Sequence, residues 1–142
     1  MPHNLCIHGK ADVKRYVASL PSANQDRLLA IFIDDQFFLV ECQIVSQLGG
    51  TITERCLRDL LCAGLERGAT SFILVHNPLT FEVQVGPADF TTAKRLHFLA
   101  RELGLQLLDH LIVTSEEVVS VAPPSRSTLI ESSPNRFTFS RR

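Results

Sequence analysis

Residues 73–89 read ILVHNPLTFEVQVGPAD, and the fold turns on how this stretch changes character along its length. The apolar run at residues 72–75 is β-branched and aliphatic, as in a strand buried on both faces. It stops abruptly at His76-Asn77. After a loop, Gly86-Pro87-Ala88-Asp89 opens an amphipathic helix, with proline in the first turn where its missing N–H does no harm. A histidine at a strand end and an aspartate at a helix start can meet across one cleft, which is a common way to assemble a metal site.

Working outward, a second helix precedes this strand. Thr51 and Glu54 form a capping-box pattern, Leu57, Leu60, Leu61, Gly64 and Leu65 share a face, and Gly68 supplies a C-terminal stop. Before that helix, residues 28–33 and 37–45 form a hairpin signal around Asp34-Asp35-Gln36. A short helix spans residues 10–20, with Val13, Tyr16, Val17 and Leu20 at helical spacing. Downstream, the helix that starts at Pro87 runs to about Leu103. Ala93, Leu96, Ala100 and Leu103 make its buried face, and Gly104 ends it. Strands follow at residues 105–113 and 118–121, separated by Ser115-Glu116-Glu117. Locally paired strands with helices between them predict an α/β sandwich on a mixed sheet.

The domain division expected is an N-terminal helical segment (1–26), a core domain (27–121) and a tail (122–142) rich in Ser, Pro and Arg. That tail is either mobile or a strap packed by Phe137 and Phe139. At 142 residues the chain suits one domain, and 45% hydrophobic with 20% charged residues is ordinary globular composition. A net charge of -1 carries no global nucleic-acid signature, so contact with nucleic acid is left to the basic tail residues Arg136, Arg141 and Arg142. No apolar run approaches the ~20 residues that span a bilayer, and the first residues lack a signal-peptide pattern, so the expectation is a cytoplasmic protein with no membrane contact. Cys6, Cys42, Cys56 and Cys62 contain no CxxC pair and read as small buried hydrophobes rather than disulfides or zinc ligands.

The order of elements from Ala30 to Val121, and the words AGLERGATSFILVHN (63–77) and LLDHLIV (107–113), resemble the RadC-like branch of the JAB/MPN (JAMM) metallopeptidase family. That resemblance implies a cytidine-deaminase-like three-layer sandwich. The family's metal motif is His-x-His, a seven-residue spacer, then Ser-x-x-Asp, with a glutamate on an earlier strand. Laid on this chain without gaps, the first histidine is His76 and the aspartate is Asp89. Pro78 stands at the second histidine and Gly86 at the serine. Glu41 is the candidate glutamate. The helix-hairpin-helix segment that often precedes this domain in relatives finds no match here.

In the complete motif two imidazoles and a carboxylate hold zinc and leave a position for water. The glutamate takes that water's proton, and the serine helps hold the oxyanion. Proline has no side-chain donor. A serine-to-glycine change removes a transition-state hydrogen bond worth on the order of 3 kcal/mol. The resemblance therefore implies a degenerate, non-catalytic binding or scaffolding module, with a loose family association with DNA repair. The alternative is an active zinc hydrolase using His76, Asp89, a ligand recruited from elsewhere, and Glu41 as base.

Each residue also has a plain structural reading. His76 can hydrogen-bond at a strand end. Asp89 suits a helix first turn by the helix dipole. Gly86 serves as an N-cap. Glu41 can face solvent on an alternating strand. His110 beside Asp109 matches a family pair read as structural, and His97 falls on an exposed helix face. In the loop, Phe81, Val83 and Val85 alternate with polar residues, a pattern built to pack. Residues 79–85 are thus expected to close the old cleft or to pair with a protein partner or a second copy.

Overall fold

A computed structural model describes residues 5–21, 26–46, 54–78 and 87–121. The elements are α1 (Lys10–Ser19), β1 (Arg27–Ile33), β2 (Leu39–Ser46), α2 (Glu54–Glu66), β3 (Ser71–Asn77), α3 (Pro87–Glu102), β4 (Gln106–Val113) and β5 (Val118–Ser120). They form one five-stranded sheet in the order β2-β1-β3-β4-β5. β3 and β4 are parallel, joined by the crossover through α3, and the other pairs are antiparallel. The sheet is mixed, as the sequence predicts, and β3 is its central strand.

Every residue of β1 is buried, because both faces of the sheet are covered. On one face Leu29, Ile31, Ile33, Ile73, Val75 and Leu111 pack with Val13 and Val17 of α1. On the other face Ala30, Phe32, Phe72 and Leu74 pack under Leu57, Leu60 and Leu61 of α2 and Leu96 and Ala100 of α3. Strand alternation sorts these side chains into two cores, and the result is a helix–sheet–helix sandwich of three layers. No helix among the described residues is long and apolar enough to cross a membrane.

The turns follow from local chemistry. Gly68 (φ 75°) and Gly104 (φ 80°) take the left-handed conformation that ends α2 and α3, where a side chain would be strained. In the β1–β2 hairpin, Asp34 Oδ1 accepts hydrogen bonds from the backbone N–H of Gln36 (2.9 Å) and Phe38 (3.0 Å). That bracing holds Phe37 at φ 66°, its ring 5.4 Å from His8.

Several sequence expectations are corrected. Leu65 and Leu103, assigned to buried helix faces, are 44% and 49% exposed. Leu65 lies in the last turn of α2 and Leu103 in the turn just past the end of α3. Cys62 is exposed and Cys6, Cys42 and Cys56 are half-buried, all as free thiols. The cap residue Thr51, the loop 79–86 and the tail 122–142 lie outside the described residues.

Candidate functional site

His76 is the penultimate residue of β3, opposite Leu28 on β1 and Ile112 on β4. Alternation from Phe72 and Leu74 turns it toward the α2/α3 layer, and its Nδ1 is sealed from solvent. Asn77 and half-buried Pro78 follow directly. Asp89 stands in the first turn of α3, whose backbone returns to this end of the sheet before crossing back to β4. β3 and α3 are consecutive elements on either side of the parallel crossover to β4.

Glu41 is placed elsewhere. On β2 it pairs with Phe32, which pairs with Phe72 on β3. The β2 residue in the row of His76 is Ser46, the partner of Leu28. Glu41 and His76 are thus four residues apart along the strands and two strands apart across the sheet, roughly 16 Å between backbones. Its carboxylate instead meets Arg67, in the turn between α2 and β3, at 3.3 Å. This ion pair lies at the opposite end of β3 from His76. The pair answers the need of a carboxylate on an apolar strand for a partner.

Its neighbour Cys42 faces the α1 layer, where it packs near Tyr16 and shares a side-chain hydrogen bond with it. Burial pushes the Cys42 thiol up from its ordinary value, and burial with Cys42 alongside pushes Tyr16 up to about 12. Both groups are held neutral. His97 on α3 is held below its ordinary value by burial and by Arg101 one turn on.

The Asp109-His110 pair is structural, as its pattern implies. A register shift in the β3–β4 ladder just before Asp109 displaces the regular pairing. Asp109 Oδ1 accepts from the backbone N–H of His110 at 2.8 Å and from Ser120 Oγ at 2.7 Å, tying β4 to β5. Both residues are buried.

Zinc would need donors that converge. Among the described residues no three His, Cys, Asp or Glu side chains are grouped to hold a metal ion. Pro78, at the position of the second imidazole, offers no donor atom. The described residues do not fit the family's zinc site.

One constellation had no motif to announce it. Arg27 opens β1 and is buried, and its Nε donates to Asn77 Oδ1 at 2.9 Å while Nη1 donates to the Pro21 carbonyl at 2.9 Å. Asn77 Nδ2 in turn donates to the Val113 carbonyl at 2.8 Å. The one available sequence signal was a cation at the head of an otherwise apolar strand.

A family model, the RadC-like JAB domain, matches residues 7–126. The chain belongs to the RadC-like JAB domain family. The three-layer arrangement around a mixed sheet agrees with this membership. Similar curated proteins include a UPF0758 protein of Finegoldia magna, 29% identical over 102 residues, covering 70% of this chain and 45% of that protein. Another, from Shewanella sediminis, is 32% identical over 103 residues, covering 68% and 45%. A third, from Acaryochloris marina, is 33% identical over 100 residues, covering 69% and 40%. The match thus takes in about half the length of these relatives.

Proposed function

We propose that this RadC-like JAB domain is a non-catalytic binding or scaffolding module working in the cytoplasm. The observation that carries the reading is Pro78. It follows the last residue of β3, at the position where the family motif supplies a second imidazole. With His76 and Asp89 alone, the protein donors fall short of the three that hold catalytic zinc, and a two-ligand site binds the metal far more weakly. The surface proposed for a protein partner or a second copy is residues 79–85, whose alternating apolar residues suit pairing with a sheet edge.

The test is elemental analysis of protein purified without a histidine tag, together with melting in the presence and absence of a chelator. Well under one zinc per chain and an unchanged melting temperature are the expected results. One zinc per chain that disappears in His76→Ala would overturn the reading and restore the hydrolase. The partner surface is tested by sedimentation of Phe81→Glu beside the unaltered chain. Identical behaviour, with no partner captured by either, would remove residues 79–85 from the proposal.

A further inference from the structure

A cavity of about 420 Å³ lies between α1 and the ends of β3 and β4. It is within the size range of small-molecule sites. It opens on the α1 side of the sheet, the face opposite His76, so it is separate from the site the metal motif marks. Its polar lining includes Lys14, Arg27, Asn77, Thr114 and Ser115, and Val17 and Leu20 contribute an apolar wall.

Among the described lining residues the charge is one-sided: Lys14 and Arg27 line the cavity with no acidic side chain beside them. Among the described residues neither cation has a carboxylate partner. Lys14 Nζ donates to a neutral acceptor, the Glu116 carbonyl, at 3.3 Å. Arg27 has five N–H donors, of which Asn77 and Pro21 take two, leaving three with no acceptor among the described residues. Arg27 as a whole residue is only 8% exposed, and an arginine so buried is costly without a counter-charge. The Asn77 and Pro21 contacts also fix its plane, so the remaining donors are held in position before any ligand arrives.

We propose that this cavity binds a small-molecule oxyanion: a carboxylate or phosphate head group carried on a short apolar body. The head group would sit between Arg27 and Lys14, with charge-assisted hydrogen bonds from both, and the body would lie along Val17 and Leu20.

The probes are hexanoate and hexyl phosphate, with hexanol as the uncharged control, titrated into the isotopically labelled full chain and followed by amide NMR. Saturable binding of at least one anion at about 1 mM or tighter is expected. Shifts should centre on Lys14, Arg27, Asn77 and Thr114, and hexanol should leave these signals in place. Comparing the two anions shows whether the head group is carboxylate or phosphate, and either answer supports the site. Lys14→Met should weaken binding about tenfold by removing one charge-assisted contact. Ala18→Glu, at an exposed rim position on α1 where glutamate is a good helix former, should abolish it. The proposal is overturned if neither anion binds up to about 10 mM. It is equally overturned if the shifts fall elsewhere, or if both folded variants bind as the unaltered chain does.

Discussion

At Gly64 α2 lies close against Phe32 of the sheet, and replacing it with alanine tests the packing of the α2/α3 core. A Cβ at this position would stand 2.5 Å from Phe32 Cε1, 2.9 Å from Phe32 Cδ1 and 3.3 Å from Leu105 Cδ1. Carbon pairs settle at about 3.5–4.0 Å, so the ring must retreat by about 1 Å. It has little room to do so. Phe32 is fully buried and its ring lies 5.6 Å from that of Phe72. Overpacking of a dense core costs about 1–3 kcal/mol, and the upper part of that range applies to a ring held on several sides. Alanine returns about 1 kcal/mol through its better helix propensity. The net expectation for Gly64→Ala is a loss of about 1–2 kcal/mol, or about 3–7 °C in melting temperature for a chain of this size. Urea unfolding followed by circular dichroism measures it. A second arm fixes the cause: Phe32→Leu combined with Gly64→Ala should lose less than the sum of the two single changes. A Gly64→Ala protein as stable as the unaltered chain, or strictly additive losses, would refute this account of the packing.

Three further outcomes follow from the same geometry. Asp109→Ala should cost about 2 kcal/mol in urea unfolding, because the backbone N–H of His110 and the Ser120 hydroxyl lose their acceptor; Asp109→Asn, which keeps a carbonyl oxygen there, should lose less. Among the thiols, Cys62 should react first with iodoacetamide at mildly alkaline pH and Cys42 far more slowly, read by peptide mass spectrometry, since one is exposed and the other is held protonated by burial. His97 has its proton affinity lowered in the fold, so below its ordinary value of 6.5 the unfolded chain binds more protons than the native one. Its contribution to stability is therefore complete above about pH 6.5 and declines as the pH falls toward the depressed native value. His97→Gln should flatten that part of the stability–pH curve.

What the sequence could and could not disclose divides along physical lines. The strands of the core were legible because burial on both faces leaves an unbroken apolar run, as in β1 and β3. The ends of α2 and α3 were legible because only glycine takes the left-handed turn cheaply, and Gly68 and Gly104 do take it. The helix faces were less so. Leu65 and Leu103 keep helical spacing with buried neighbours but reach beyond the sheet, and periodicity does not reveal where a neighbouring surface stops.

Register is the deeper limit, and it bears directly on function. His76 and Asp89 could be proposed together from the chain alone because β3 and α3 are consecutive elements. Glu41 belongs to a different strand, and its row is set by the hairpin turn and by irregularities in the β1–β2 ladder, one of them between Phe32 and Ile33. A shift of a few residues along β2 would leave the sequence motif intact and move the carboxylate across the sheet. The ladder places Ser46, not Glu41, in line with His76. The same reasoning explains the hidden cation: Arg27 and Asn77 are paired residues on antiparallel strands, fifty positions apart, joined only when β1 and β3 align. A single register therefore sets the row of Glu41 relative to His76 on one face of the sheet and joins Arg27 to Asn77 at the cavity on the other.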